Sequence, residues 1–252
     1  MKTWNRIGGL LIVSLLTITA AFGQTKTNDK ELSVEESYLQ ESIEQMVIRE
    51  QARADSRDMK LVALEYIGDA IKGGRVNQEI QKTLEYLAME GTVNQAREGG
   101  VGRLVNNYPD VRAKAAQYLG ELGTKEAKDV LVKMVLSDPE PMVLTEAVKS
   151  LGKIGINDND EVTTAISWIV TRFDILNPDN ILALSALEAY EKLAEKNGGI
   201  KDPSAVRTII RIAEGNYIRP VQARARETLN TLRKYTAQQN SNQQNSKTGG
   251  QK

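Results

Sequence analysis

The sequence predicts an all-α fold in which helical hairpins stack on one another, because a single apolar pattern recurs along the chain. Four small or apolar residues follow one another at spacings of 4, 4 and 3, which places them on one face of a helix. The five copies of this pattern begin at Met59, Val111, Val143, Leu182 and Val221. Alanine holds the second place in every copy, so a neighbouring helix can approach closely.

The ends of these helices carry residues that commonly begin and end helices. Pro109, Pro141 and Pro220 stand just before three of the copies, and proline fits a first helical turn because its missing N–H has no partner there. Gly123 and Gly155 follow two of the copies, where glycine favours a helix end. From the second copy onward the starts lie 32, 39 and 39 residues apart.

A second amphipathic segment, here called the B helix, follows each of these A helices. The predicted B stripes are Ile80, Leu84 and Leu87; Ala127, Leu131 and Met134; Val162, Ile166, Ile169 and Phe173; and Val206, Ile210 and Ala213. Asn77, Thr124 and Asp202 are suitable N-caps for three of them. One hairpin cannot bury both of its apolar sides, so the units must stack.

Residues 33–55 predict one long helix before the array. Ser33 and Glu36 have the spacing of a capping box, and an apolar stripe runs from Val34 through Ile43 to Met46 or Val47. One interpretation is an N-terminal cap, which repeat arrays need. The other is a helix that binds a partner or a second copy.

The segment between the first two units interrupts the repeat. Their starts lie 52 residues apart, and the excess, residues 92–106, contains Gly99, Gly100 and Gly102. An extra short helix weakened by glycine and a flexible loop are both compatible with this composition.

Both ends of the chain differ in composition from the array. Residues 1–23 predict a secretory signal peptide, with Lys2 and Arg6 before an apolar stretch and small residues at the cleavage site; an uncleaved anchor is the alternative. Export would lead to the periplasm or, alternatively, the extracellular space. Residues 24–32 predict a flexible linker, and residues 236–252 a disordered polar tail. The repeat array is therefore expected at residues 56–235.

Composition narrows the classes of function. Without residues 1–23 the chain has 31 basic and 33 acidic residues, so it lacks the basic excess of a nucleic-acid-binding protein. It contains neither Cys nor His, the residues most used as nucleophile, general base or metal ligand. The acidic run at residues 157–161 stands where a helix N-cap is needed and lacks the glycine and distant glutamate of a calcium loop. We therefore predict no enzyme activity, no metal site and no cofactor.

Two segments resemble a known repeat family. Residues 109–123 read Pro-Asp-Val-Arg, then Ala115, Leu119-Gly120 and Leu122-Gly123, followed by Glu126-Ala127, and this resembles the HEAT repeat of the short bacterial type. Residues 141–155 match again, with Leu144 in place of the usual arginine. The resemblance implies a right-handed α-solenoid of four to five HEAT-like hairpins with an N-terminal capping helix. It also implies a concave face, lined by B helices, that binds proteins.

The candidate contact residues lie on B helices and in the basic C-terminal part. Residues 201–235 hold 8 basic and 3 acidic residues, whereas residues 25–58 hold 5 basic and 9 acidic ones. Arg207 and Arg211 lie one turn apart in the basic part. Trp168 and Lys133 share one position on successive B helices, where the side chain either packs on the next repeat or lies in the groove, and Arg172 follows Trp168 by one turn.

These observations predict a non-enzymatic exported scaffold that binds a protein partner through the B-helix groove and the basic C-terminal repeat. The alternatives are an envelope-associated structural component that contacts membrane or cell wall, and an accessory protein that binds a small ligand. Self-association of the acidic N-terminal end with the basic C-terminal end is a further alternative.

Overall fold

The computed structural model describes residues 33–99, 102–176 and 178–248, with side chains described except at 176 and 236–248. The predicted signal peptide and linker lie outside the described residues. The helices are α1 (Val34–Arg53), α2 (Arg57–Lys72), α3 (Gln78–Met89), α4 (Pro109–Leu122), α5 (Lys125–Ser137), α6 (Pro141–Ile154), α7 (Glu161–Leu176), α8 (Asn180–Asn197), α9 (Pro203–Glu214) and α10 (Arg219–Thr248).

The helices pack in two layers. α2, α4, α6, α8 and α10 lie side by side as the A layer, and α3, α5, α7 and α9 as the B layer. Each A helix also packs against at least one B helix beside it in the chain. The described residues form no β-strand, only two isolated β-bridges. The predicted all-α stack of helical hairpins is therefore confirmed.

The predicted A-helix stripes form the core between the layers. In α6, for example, Val143, Ala147 and Leu151 are fully buried. Met59 is the exception, because its side chain is 49% exposed although the first stripe residue of every other copy is buried. α2 is the first A helix of the described array, so Met59 has no earlier A helix to pack against.

Neighbouring A helices meet at one repeating pair of positions. The residue nine places after the first stripe residue of one helix contacts the residue seven places after that of the next: Gly68 with Tyr118, Gly120 with Ser150, Gly152 with Ala189, and Glu191 with Thr228. A Cβ atom on Gly152 would lie 2.7 Å from the Cα atom of Ala189. The small residues in the motif therefore set how closely the A helices approach.

A buried polar chain joins the first two units. Lys60 and Arg112 occupy the same place in α2 and α4, directly after the first stripe residue. The Nζ atom of Lys60 lies 2.9 Å from the Glu90 carboxylate. Arg112 donates from Nη1 to the Glu90 carbonyl at 3.2 Å and from Nε to Asp138 at 2.6 Å. Each charge is paired, as buried charges must be.

The B-helix stripes are confirmed in α3 and α5 and for most of α7, but in α9 only Ala213 of the three predicted residues is buried. Val206 and Ile210 are 39% and 40% exposed, while Ala205, Ile209 and Ile212 are buried. α9 carries two adjacent apolar stripes and is the last B helix of the described residues. It has one B-layer neighbour, α7, so only one stripe is covered.

The insertion between α3 and α4 is a loop. The described part of residues 92–106 contains turns and no helix, so of the two alternatives the short helix is wrong. The Asn106 side chain accepts a hydrogen bond from the Ala96 N–H at 2.9 Å and donates one to the Asn94 carbonyl at 2.8 Å. These bonds satisfy backbone groups that a helix would otherwise pair.

α1 begins with the predicted capping box, in which Ser33 and Glu36 each bond the other's backbone N–H. It packs against α2 and α3, but it buries only Ile48 and Ala52. The predicted apolar stripe is exposed at Val34, Ile43 and Met46 and half-buried at Val47. This helix therefore leaves an apolar surface at the N-terminal end of the array.

α10 continues to Thr248, into the segment for which the sequence predicts disorder. No Gly or Pro interrupts the helix before Gly249, and no apolar residue after Ala237 could hold its end by burial. Disorder of residues 236–252 stays a prediction.

Candidate protein-binding groove

The structure brings four of the five predicted contact residues together in one groove between α7 and α9. The groove has a volume of about 690 Å³. Its lining consists mainly of arginine and hydroxyl side chains: Thr164, Ser167, Trp168, Thr171, Arg172 and Ile175 from α7, and Ser204, Arg207, Thr208 and Arg211 from α9. The fifth predicted residue, Lys133, is exposed on α5 and does not line this groove.

The α7 wall presents an aromatic ring beside a cation. The Trp168 side chain is 44% exposed, so it lies in the groove and is only partly packed on the next repeat. The Cζ atom of Arg172 lies 5.5 Å from the centre of the Trp168 ring. The two residues are one turn apart on the helix, and the cation–π contact holds the guanidinium over the ring.

The two arginines of the α9 wall differ in their partners. The Nε atom of Arg211 lies 3.2 Å from the Asp174 carboxylate, so much of its charge is neutralised. Arg207, like Arg172 across the groove, has no ion pair with any described residue. One free guanidinium thus stands on each wall.

Hydroxyl groups form the floor of the groove. Thr164 donates to the Asp202 carboxylate at 3.1 Å. Ser204 donates to Ser167 at 3.1 Å, and the Ser167 hydroxyl is 2.7 Å from that of the buried Tyr190. Asp202 also accepts from the Ser204 backbone N–H at 2.8 Å as the N-cap of α9. This network ties α7 and α9 to α8 below them.

Two titratable groups in the network have shifted pKa values. Burial raises the pKa of Asp202, but hydrogen bonds from Ser204 and Thr164 outweigh it and leave the pKa below its ordinary value. Burial raises the pKa of the Tyr190 hydroxyl well above its ordinary value. Asp202 is therefore ionised and Tyr190 neutral at physiological pH.

Sequence reasoning found the aromatic and cationic walls but missed the hydroxyl floor. Thr164, Ser167 and Thr171 follow one another at spacings of three and four, which is one face of a helix. This stripe beside Trp168 is the sequence pattern from which the hydroxyl floor could have been predicted.

The arrangement suits an anionic, partly apolar segment. A carboxylate can accept hydrogen bonds from either free guanidinium, and an apolar side chain can cover the indole. The described part of the chain has no cluster of three or more acidic, His or Cys side chains that could hold a metal ion. None of its helices is long and apolar enough to cross a membrane.

Comparison with known proteins identifies the central units. Residues 103–174 match the family model of HEAT repeats, and this range holds α4, α5, α6 and nearly all of α7. No curated protein matches the sequence. The Trp168 wall of the groove lies inside the matched range, and the α9 wall lies beyond it.

Proposed function

We propose that this helical repeat protein, whose residues 103–174 are HEAT repeats, is a scaffold that holds an acidic segment of a partner protein in the groove between α7 and α9. The observation that carries the proposal is the pair of free guanidiniums, Arg172 and Arg207, on opposite walls beside the half-exposed Trp168. Arginine and tryptophan contribute most strongly to protein–protein binding energy.

The shape of the groove favours a chain segment over a small molecule. It lies open between two parallel neighbours of the B layer, the layer whose helices bind partners in the repeats that this sequence resembles. It is open to solvent and lined by charged side chains at its rim, whereas small-molecule pockets are mostly enclosed. The proposal assigns no catalysis to the groove, because Asp202, the carboxylate bonded to its hydroxyl groups, has a lowered pKa and is a weak base.

We further propose that the protein acts outside the cytoplasm, in the periplasm. Support comes from the sequence of residues 1–23, with its basic start, short apolar stretch and small residues before Gln24. Mass spectrometry of the protein from fractionated cells tests this. A periplasmic chain that begins at Gln24 is expected, and a cytoplasmic chain that keeps residues 1–23 would contradict it.

Site-specific photo-cross-linking in the native cell tests the groove. A photoreactive residue at Ile175, 73% exposed on the groove lining, should capture a defined set of proteins. The matched control places it at Leu136, 48% exposed on α5 and outside the groove. Arg172→Ala/Arg207→Ala should abolish capture from Ile175, while Lys133→Ala should leave it unchanged.

Two results would contradict the proposal. One is equal capture of proteins from positions 175 and 136, since partner proteins would then bind the groove no better than the control surface on α5. The other is capture that survives the double arginine substitution. Binding of the purified protein to anionic lipid vesicles, lost in the same double variant, would favour the envelope-associated alternative instead.

A further inference from the structure

The N-terminal end of the A layer carries an apolar surface that is ready for stacking. In every inner A helix, the residue seven places after the first stripe residue packs on the preceding A helix, as Tyr118 does on Gly68. The same position in α2 is Tyr66, whose side chain is 43% exposed. Met59 is exposed in the same way, whereas its counterpart Val111 is fully buried.

α1 extends this surface. Leu39 and Ile43 lie one turn apart and are 60% and 57% exposed. Ile43 lines the same cavity as Tyr66, a space of about 580 Å³ between α1 and α2. We call the combined surface the N-terminal face; its members are Leu39, Ile43, Met59, Val62 and Tyr66.

The other end of the A layer is polar. In α6, the residues two, five and nine places after the first stripe residue are buried against α8. In α10 these three positions hold Ala223, Arg226 and Asn230, all exposed. A polar outer face is what ends a repeat array in water. The array thus ends in a polar surface at its C-terminal end, whereas at its N-terminal end α1 covers α2 only in part.

Three observations bear on what covers the N-terminal face. Two ion pairs flank the face, Arg75 with Glu44 at 3.2 Å and Lys72 with Asp69 at 3.1 Å, but Glu41 lines its cavity without a basic partner among the described residues, so apolar contact and not charge must hold two such faces together. After signal removal, residues 24–32 would offer only one apolar side chain, Leu32. The polar end of α10 offers no apolar partner for Tyr66, which disfavours head-to-tail stacking.

We propose that a second copy of the chain covers this surface, with the two N-terminal faces in contact across a two-fold axis. An isologous contact needs a self-complementary patch, and apolar stripes are self-complementary. α1 has 20 residues, so α1 and α2 side by side present an area about 30 Å long and roughly 20 Å wide. The apolar members occupy only part of this area of about 600 Å², so the polar side chains around them would have to contribute to the roughly 800 Å² per partner of a standard interface.

Analytical ultracentrifugation of the full mature protein tests the dimer. The wild type should sediment as a dimer, and Ile43→Glu/Tyr66→Glu as a monomer with an unchanged circular dichroism spectrum, because both side chains are already exposed. The matched control, Ala223→Glu/Asn230→Glu, alters the opposite end and should stay dimeric. A monomeric wild type at all concentrations would overturn the proposal, and so would a control that dissociates.

Single cysteines give an independent readout, because the chain has none of its own. Under mild oxidation Tyr66→Cys should form a covalent dimer, since the residue lies on the N-terminal face near the middle of α2. Asn230→Cys should stay monomeric on a non-reducing gel. Linkage through Asn230→Cys and none through Tyr66→Cys would place the contact at the wrong end and refute the proposed arrangement.

Discussion

Replacement of Arg112 by leucine should weaken the contact between the first two repeat units. The fully buried guanidinium donates to Asp138, to the Glu90 carbonyl and to the Asn107 side chain. Leucine makes none of these bonds. A leucine side chain fits at this position of the repeat, since Leu144 occupies the same place in α6 and is fully buried there.

The cost follows from the charge that is left behind. Removal of one partner from a buried ion pair costs about 3–5 kcal/mol, because the other charge stays buried without compensation. Asp138 keeps one donor, the Glu140 backbone N–H at 2.9 Å, so we expect about 3 kcal/mol at the lower end of that range. For an array of this size, that lowers the melting temperature by roughly 6–12 °C.

A double-mutant cycle in urea separates charge from packing. Arg112→Leu/Asp138→Asn removes both charges and keeps an acceptor for the Glu140 N–H, so it should be about 1–2 kcal/mol more stable than Arg112→Leu alone. Arg57→Leu is the matched control, because its ion pair with Asp110 is exposed and should contribute little. A double variant as unstable as the single one would refute the assignment of the cost to the stranded carboxylate.

Three further outcomes follow from the structure. Gly152→Ala should destabilise the protein by about 1–3 kcal/mol in urea, because the new Cβ meets the Ala189 backbone; Gly68→Ala should cost less, since it meets a movable tyrosine hydroxyl. Stability should fall as the pH drops below 4.5, the ordinary pKa of a glutamate, and less steeply in Glu191→Gln. In a chain without residues 1–23 Trp168 is the one tryptophan, so its fluorescence should shift to the blue when the groove is filled.

The pKa of Glu191 makes the stability of the fold depend on pH in the acid range. Burial raises the pKa of Glu191, but hydrogen bonds from Arg224 and Thr228 outweigh it and leave the pKa below its ordinary 4.5. The unfolded chain therefore binds the proton more readily, and the stabilisation present at neutral pH is lost as the pH falls. Equal acid midpoints for wild type and Glu191→Gln would refute this pH dependence. If Gly152→Ala and Gly68→Ala lowered the free energy of unfolding equally, the steric prediction would be contradicted. If the emission of Trp168 stayed unchanged when the partner binds, the fluorescence prediction would be contradicted.

Sequence periodicity predicted the A layer well because its signal is redundant. Spacing, the recurring alanine and the flanking proline and glycine all point to the same helices, and the burial of Val143, Ala147 and Leu151 agrees. α9 shows the limit. Its two stripes, Val206 with Ile210 and Ala205 with Ile209, are both apolar, and which one is buried depends on α7 being its one B-layer neighbour among the described residues.

The candidate groove was predictable in part for a similar reason. Trp168 and the arginines stand out as single residues of unusual chemistry on otherwise regular helices. The partner of Arg211 is Asp174 on the neighbouring helix, and a pairing between helices depends on their relative rotation, which periodicity does not fix. The loop at residues 92–106 depends on side-chain bonds from Asn106, which local propensity does not encode.

The glycine contact between α6 and α8 has a mechanical consequence for the groove on the other side of the molecule. Gly152 and Ala189 bring two A helices together at nearly backbone-to-backbone distance, and the same two units carry α7 and α9. The two units can rotate relative to each other about that contact, and their B helices lie about 10 Å from it. A turn of roughly 6° about it moves the arginine walls by about 1 Å relative to each other. Substitutions of Gly152 or Ala189 would therefore change the width of the groove, although neither residue lines it.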